Sequence, residues 1–466
     1  MMTLFSNLYL GLSALRSQQL ALSIAGNNVA NVNTPGYSRQ RAIMAELDPL
    51  QISEGQLGRG VRILEINAAR DRFIEARLVK ENQGLGQFDI MNQNLQQIEA
   101  LFADSGGTGI RDALTKFFNS FSDLANNPTS IATRQQVLIA GNNVAGSIRN
   151  SYAQMVTTQS IANQGIKTTI DQINGLTDQI AKLNTQVASV EALGQDSTRF
   201  RDQRQLLVGQ LGQLANISYM ENDARMVTVQ INGRSLVENG NATALAATLP
   251  PSGSPNFTIT MNGNNITSEV TSGKLGGLLQ VRDVNIPGYL QTLDTMAGAL
   301  ITQVNTIHSG GFDLTRAVGG SFFTPPSVGA SAAQTIAVAI TDPARIAAAT
   351  TLPPSGPPGD NSNARALANL ATARISSLGS VTFSEYYGTL VARVGGQARE
   401  AADGLKTQRQ IVRQVQNLRD SVSGVSLDEE MASIIQYQKA YEASARFVSI
   451  VNALTDETIR ILGSGR

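Results

Sequence analysis

The chain has no cysteine, no tryptophan and a single histidine in 466 residues. Disulfides, thiolate metal sites, cysteine nucleophiles and histidine-rich zinc or iron sites are therefore removed together. Charge is scarce as well: 15% of residues are charged, against about 25% in an average globular protein, and 36 basic side chains balance 36 acidic ones. No field favours nucleic acid or an anionic membrane. Residues 1 to 15 carry no basic side chain and are interrupted by Ser6, Asn7 and Ser13, so no Sec-type signal peptide is visible. The uncharged run from Ser17 to Ser38 is long enough to span a bilayer but is crowded with Gln, Ser and Asn, which hydrocarbon excludes, so no membrane insertion is expected. What the chain does have is length for two to four domains and a 42% hydrophobic share, enough to bury real cores.

Both ends read as long amphipathic helices. Leu8, Leu15, Leu22 and Val29 recur every seven residues, with Phe5 and Leu12 on the adjoining row. At the other end Leu427, Ile434, Tyr441, Val448 and Leu462 share one heptad series, with Thr455 in the remaining place and Met431, Ala445 and Ile459 beside it. Ser426 and Glu429 have capping-box spacing, and Gly463 closes the helix. At 1.5 Å per residue these helices run roughly 40 and 55 Å. Gly11 and Gly26 weaken the first taken alone, so each helix needs a partner. The first ends in an Asn-studded element, Asn27-Asn28-Val29-Ala30-Asn31-Val32-Asn33-Thr34-Pro35-Gly36-Tyr37-Ser38-Arg39-Gln40. Its Asn side chains can bond the carbonyls left open at a helix end, and Pro35-Gly36 fits a type II turn.

Between the ends, Phe117, Phe118, Phe121 and Leu124 precede the breaker Asn126-Asn127-Pro128. A helix through Arg134 to Tyr152 follows, then a seam of Ile173, Ile180 and Val187 interleaved with Leu176, Leu183 and Val190. From about residue 218 the period changes to two, and Asn232-Gly233 and Asn262-Gly263 mark hairpins. Helical pattern returns over Gly276 to Ile307. Gly- and Pro-rich segments (Ser321 to Ser327, Pro353 to Gly359) then bracket a strand-like stretch near Thr335 to Ile340, and helices over Asn363 to Ile375 and Glu385 to Val422 lead back. The expected fold class is mixed, mainly α: long coiled-coil-like terminal helices and a helical bundle with an inserted antiparallel β domain that projects from the axis. The expected divisions are 1–50 (N-terminal part of an axial helical domain), 51–217 (helical bundle), 218–275 (inserted β domain), 276–380 (helix plus irregular subdomain), 381–425 (returning bundle helix) and 426–466 (C-terminal part of the axial domain).

Catalytic machinery is not apparent. A lone His308 beside a Gly-rich turn is more often structural than catalytic. Asp428, Glu429 and Glu430 diverge around a helix and suit its first turn. Arg199, Asp202 and Arg204 suit ion pairs, each worth about 0–1 kcal/mol if exposed. The Gly-rich segments lack the Lys-Ser/Thr sequel of a phosphate loop. No catalytic, cofactor-binding or metal residue is assigned, and no cofactor is expected.

The element from Asn27 to Gln40 resembles the signature of the bacterial flagellar rod/hook axial protein family, in which an Asn-x-Ala-Asn-x-x-Thr-Pro-Gly-Tyr-like stretch follows the first helix. The continuation Ser38-Arg39-Gln40 and the stretches FFNSFSDLANNPTSIATRQQVL (117–138) and RDQRQLLVGQLGQLANISY (201–219) are most similar to its hook-filament junction branch. The C-terminal stretch LDEEMASIIQYQKAYEASARF (427–447) shares the axial pattern, and His308-Ser309-Gly310-Gly311-Phe312-Asp313 resembles a structural element of that branch. The resemblance implies a structural subunit outside the cell that forms a ring of identical copies on which the filament is built. It implies contact with the hook protein and with a second junction protein on the filament side. Flagellar type III export without a cleaved signal is implied as well, with a cytoplasmic export chaperone held on the C-terminal helix. Zero cysteine suits passage through a narrow export channel. Because family members bury both ends in a continuous tube, the implied assembly interface is Phe5, Leu8, Leu12, Leu15, Leu22, Val29, Asn31, Asn33, Pro35, Gly36 and Tyr37 with Leu427, Met431, Ile434, Tyr441, Val448, Ile459 and Leu462. The alternatives are another hook or rod protein, or a secreted coiled-coil or phage-tail-like structural protein.

Overall fold

The computed structural model describes residues 2–52, 55–102, 109–251, 253–351 and 359–463; of the expected loop from Pro353 to Gly359, all but Gly359 lies outside them. Helix α1 (Met2–Ala30) ends where the Asn31 side-chain amide donates to the Asn27 carbonyl at 2.9 Å, filling an acceptor that helix ends leave open. A type II turn follows. Tyr37 N donates to the Thr34 carbonyl at 3.2 Å across Pro35 and Gly36, and Gly36 takes φ 79°, the left-handed value that this turn position needs.

The chain then enters β1 (Gln40–Glu46), a ribbon of β2 (Leu50–Ile52) and β3 (Gly55–Leu57), and β4 (Val61–Ala68). β1 pairs antiparallel with β4, with a register shift between Ile43 and Met44. This corrects the reading of everything from 51 to 217 as helical. In β4 half-buried Val61, Ile63 and Ile66 are separated by exposed Arg62 and Glu65, a strand alternation over a stretch too short to set a helical period.

Helix α2 (Arg72–Leu101) is capped by Asp71, whose carboxylate accepts from Phe73 N and Ile74 N. Next come α3 (Ile110–Asn126), α4 (Ile131–Ala192) and α5 (Thr198–Leu214). The two helical stretches read from the sequence after Pro128 are one helix of 62 residues, roughly 90 Å long. Ile173, Ile180 and Val187 are fully buried along it, but Leu176, Leu183 and Val190 are only half-buried, and Thr177, Ala181 and Asn184 complete the inner face.

The β region starts at β5 (Ile217–Glu221), followed by β6 (Val227–Ile231), β7 (Arg234–Glu238) and β8 (Asn241–Ala242), which form a sheet in that order. β9 (Leu245–Thr248), β10 (Thr258–Met261) and β11 (Asn264–Asn265) form a second, in the order β11-β10-β9. Both Asn-Gly pairs have positive φ (47° and 81°; 50° and 78°), as two-residue hairpins require. The sheets lie along α4 instead of projecting from the axis. Three asparagines, each about three turns from the next on that helix, bind strand or loop backbone through both amide ends. Asn163 takes Pro255 O and Phe257 N, Asn174 takes Leu245 O and N, and Asn184 takes Val227 O and N, at 2.7–3.0 Å. Satisfying the buried backbone this way fixes the register of sheet on helix.

Helix α6 (Gly273–Gln280) runs through a π turn at Val281–Asn285 into α7 (Ile286–Ser309). Among its described residues, the stretch from 310 to 382 holds only α8 (Ala332–Thr335), α9 (Ser362–Asn369), short 3-10 turns and isolated bridges such as Phe323 with Val338. The strand expected over 335–340 is reduced to such a bridge. α10 (Phe383–Ser423) opens with a capping box of Thr382 and Glu385 and returns along α2, and α11 (Leu427–Gly463) lies against α1. The fold is mainly helical with a few small antiparallel sheets, and it has two cores. One surrounds Phe117, Phe121, Phe322 and Phe323, with ring centroids 4.9 to 5.8 Å apart. The other joins α4 and α5 to the β region.

Candidate assembly interface

The two ends meet at close range. A Cβ placed on Gly11 would stand 2.5 Å from Val448 Cγ2, so the first helix carries glycine where the last one presses on it. The buried face of α1 is Gly11, Ser17, Ala21, Ile24, Ala25 and Asn28; on α11 it is Glu430 and Val451, flanked by half-buried Ile434, Tyr437, Ser444 and Val448. The bulky stripe read from the sequence borders this face without filling it. Leu8, Leu15, Leu22 and Val29 are half-buried beside the seam and Leu12 is exposed, while Leu427, Met431, Tyr441 and Ile459 are exposed on α11. Small side chains allow close approach of two helices, so they occupy the seam and the bulky row is turned about one residue position aside. The side chains of Phe5 and Leu462 lie outside the described residues. This pairing of α1 with α11 lies within one chain. It leaves much apolar surface uncovered: Tyr9, Leu12 and Leu20 on α1, and Ile435, Phe447, Ile450 and Leu454 on α11, each 37–74% exposed.

At the base of this pair the turn element forms a polar joint. Asn28 is the hub. Its Oδ1 accepts from the Tyr37 hydroxyl at 2.8 Å and from Gln40 N at 3.0 Å, and its Nδ2 donates to Gln40 O at 2.8 Å and to Glu430 Oε2 at 3.0 Å. Arg39 reaches Glu429 at 2.5 Å and Glu430 at 2.6 Å, and its backbone N–H donates to the Ser423 carbonyl at 2.9 Å. Glu429 is thereby held by a guanidinium, not by the capping box read from the sequence. Glu430, read from the sequence only as a first-turn acid, is 3% exposed. A cation from the opposite end of the chain outbids a helix amide because a charge-assisted bond is the stronger one. Arg39 holds the Glu429 carboxyl below its ordinary range. Burial, with the charges of Asp202 and Glu430, pushes the Tyr37 hydroxyl up to about 12, so it remains a donor to Asn28.

Two further pairs tie the joint to the bundle. Arg70 bonds Asp202 and Ser38, and Arg419 bonds Glu75 at 2.7 Å. Burial raises the Asp202 carboxyl despite Arg70. Arg204, 3% exposed, bonds Asn184, Glu221 and the Arg225 carbonyl. Asp202 and Arg204 thus form ion pairs, as read from the sequence, and form them as buried connectors. Of the remaining turn residues, Asn31 bonds Asn27, a Cβ placed on Gly36 would stand 3.5 Å from Leu206, and Asn33 and Pro35 face solvent. Asn28, Arg39 and Glu430 were not singled out from the sequence. A basic residue next to a conspicuous turn and a three-acid run at the other end were the available signal.

His308 is buried away from the joint. Its Nδ1 donates to Gly320 O at 2.7 Å and its Nε2 accepts from Ala347 N at 2.9 Å, and burial lowers its basicity. It ties loop backbone together. Among the described residues no helix is long and apolar enough to cross a membrane, and no cluster of three or more His, Cys, Asp or Glu could hold a metal ion.

Comparison with known proteins agrees with this arrangement from end to end. The family model of the flagellar hook-associated protein FlgK helical domain matches residues 95–323. Models of the flagella basal body rod protein and of the flagellar basal body rod FlgEFG protein C-terminal match 8–37 and 419–461, the two paired ends. Flagellar hook-associated protein 1 of Bacillus subtilis (strain 168) is 31% identical over 512 residues, covering all of both chains. The chain belongs to the flagellar hook-associated protein 1 family. The family member of Escherichia coli (strain K12) is 25% identical over 97% of this chain and 98% of its own. The solved flagellar hook junction protein FlgK from Burkholderia pseudomallei has the same fold, with a TM-score of 0.65 at 18% identity, over 75% of this chain and all of that one. Membership makes the chain a structural component of the flagellum outside the cell, in a family that assembles into the hook-filament structure.

Proposed function

We propose that this chain forms the junction ring between flagellar hook and filament, the base on which the filament is built. The observation that carries this reading is the uncovered apolar row along the paired α1 and α11. A row of that length on a monomer marks a surface awaiting a partner. The partners are further copies of the chain, the hook protein on one side and a second junction protein on the other. The chain leaves the cell through the flagellar export apparatus without a cleaved signal. Until then the exposed face of residues 426–462 is covered by a small cytoplasmic chaperone, since Leu427, Tyr441 and their neighbours would otherwise promote aggregation. Chaperone and tube use the same face and exclude each other, so release of one permits the other. Electron microscopy of cells lacking the protein tests the junction role. Hooks without filaments and flagellin spilled into the medium are expected, and normal filaments would overturn it. For the chaperone, a peptide of residues 420–466 should capture it from lysate and Tyr441→Asp should weaken it. Unchanged binding after deletion of that segment from the full-length chain would refute this part.

A further inference from the structure

A cleft of about 810 Å³ lies where the terminal pair meets the bundle and the β region. Six consecutive residues of β4, Ile63 to Ala68, line one wall, and Tyr219, Met220 and Glu221 of β5 line another. Consecutive residues on a wall mean that a strand's edge, and not one of its faces, looks into the space. Both edges are open there. Among the described residues β4 pairs only with β1, and β5 is the outer strand of its sheet, with Gln83 occupying the Ile217 carbonyl at its start. The rim is apolar: Leu20, Leu64 and Met220 are 42%, 59% and 76% exposed.

The charges lining the cleft are equal in number, five carboxylates to five guanidiniums, but unevenly paired, with Glu191 facing Arg225 at 4.0 Å and Arg70 held by Asp202. Glu75 is engaged by Arg419 from outside the cleft, and Asp196 is engaged by Thr198. Three guanidiniums, of Arg72, Arg201 and Arg204, are left to converge on the single carboxylate of Glu221 at 3.0–3.5 Å. The buried Nε of Arg201 has no hydrogen-bond partner among the described residues. Spare guanidinium N–H groups suit a carboxylate, and an open strand edge suits extended backbone.

We propose that this cleft receives an extended, carboxylate-bearing segment of a second copy of this chain, which adds a strand between β4 and β5 and gives its acid to Arg201. The proposal rests on the assembly reading above. It names a second copy as occupant because Leu20 belongs both to the cleft rim and to the exposed row of the terminal pair, so a copy seated on that row reaches the cleft without a further step. Because the chain has no cysteine, single cysteines can carry a photoactivated crosslinker at one position each. Met220→Cys, Leu454→Cys on the exposed row of α11 and Val328→Cys in the irregular segment are compared in flagella isolated from cells. Positions 220 and 454 should both join two copies of the chain, with the adduct of 220 in a stretch containing Asp or Glu, and 328 should join none through that stretch. If 454 joins copies while 220 joins none, or joins another protein, the cleft proposal fails and the assembly reading stands. If neither joins copies, both fail. Met220→Asp places a charge on an exposed position that folding does not use, and it should cut incorporation into flagella about tenfold. Incorporation equal to that of Val328→Asp would overturn the proposal.

Discussion

The aromatic core of the bundle and the seam of the terminal pair are both helical packings, yet they are built from opposite materials. In the bundle Phe117, Phe121, Phe322 and Phe323 show no exposed surface. Each contributes about 1.5–3 kcal/mol by burial, with some 0.5–1.5 kcal/mol more for each favourable ring pair. In the terminal seam most buried residues of α1 are small, Gly11, Ser17, Ala21 and Ala25, joined by Ile24 and by Val451 of α11, and most of the large side chains stand outside. Small side chains bury little, so that pair is held in the monomer mainly by its polar joint. One region is finished by its own sequence; the other has its bulk apolar surface in reserve for a neighbour.

The largest effects should separate the two regions. Phe322→Ala removes a ring from the centre of the bundle and should cost about 3–5 kcal/mol, read as a lower urea midpoint. Ile450→Asp, at a position 60% exposed, should leave that midpoint unchanged and abolish assembly into flagella. A destabilised monomer in the second case would mean that the row is already covered, and the contrast would collapse. Next in size is the joint. Arg39→Ala strips Glu430 of its cation and should loosen α11 from the turn by roughly 2–3 kcal/mol, seen as faster hydrogen exchange over residues 20–45 and 427–450 with the bundle unaffected. Equal acceleration in the bundle would show that the joint also supports the core.

Limited proteolysis sharpens the same boundary. Helices with so little buried bulk should open often, and cleavage should trim both ends to a stable body between roughly residues 50 and 410. The structure refines this expectation, because β1 and β4 lie on α1 and should be lost with it. Resistance of residues 6–30 in dilute monomer would contradict the idea that the pair is incomplete.

What was legible in the sequence was local chemistry. The type II turn at Pro35-Gly36, the two Asn-Gly hairpins and the Phe117 cluster follow from side-chain and backbone preferences within a few residues, and the structure has all of them. The hairpin of β1 and β4 was missed because its alternation is short and lies between two strong helical patterns. Which face of α1 meets α11 was not legible, because a count of bulky residues finds the most apolar row, whereas a close helix contact selects small ones. The joint was not legible at all: Asn28 and Glu430 are 402 positions apart, and no local rule links a turn asparagine to an acid in a distant helix. The segment from 310 to 350 was equally opaque, since single bridges and a histidine, not a repeating period, hold it in place.

That histidine supplies the smallest predicted effect and a check on the finished region. His308 accepts a backbone hydrogen bond at Nε2 while donating from Nδ1, which only the neutral ring can do, and burial lowers its basicity below the ordinary value near 6.5. In the unfolded chain the ring takes up a proton as pH falls through about 6.5, whereas the folded protein resists it. The unfolded state therefore binds more protons in that window, and stability declines as pH falls from about 6.5 toward the lowered folded value, below which the loss levels off. Since the chain has no other histidine, a fall in the urea midpoint between pH 7.5 and 5.5 should largely vanish in His308→Gln, whose own midpoint should be lower at pH 7.5. The loss should appear in the bundle and not in the terminal pair. An unchanged slope in the variant would show that the acid sensitivity of the molecule in this window does not lie at His308.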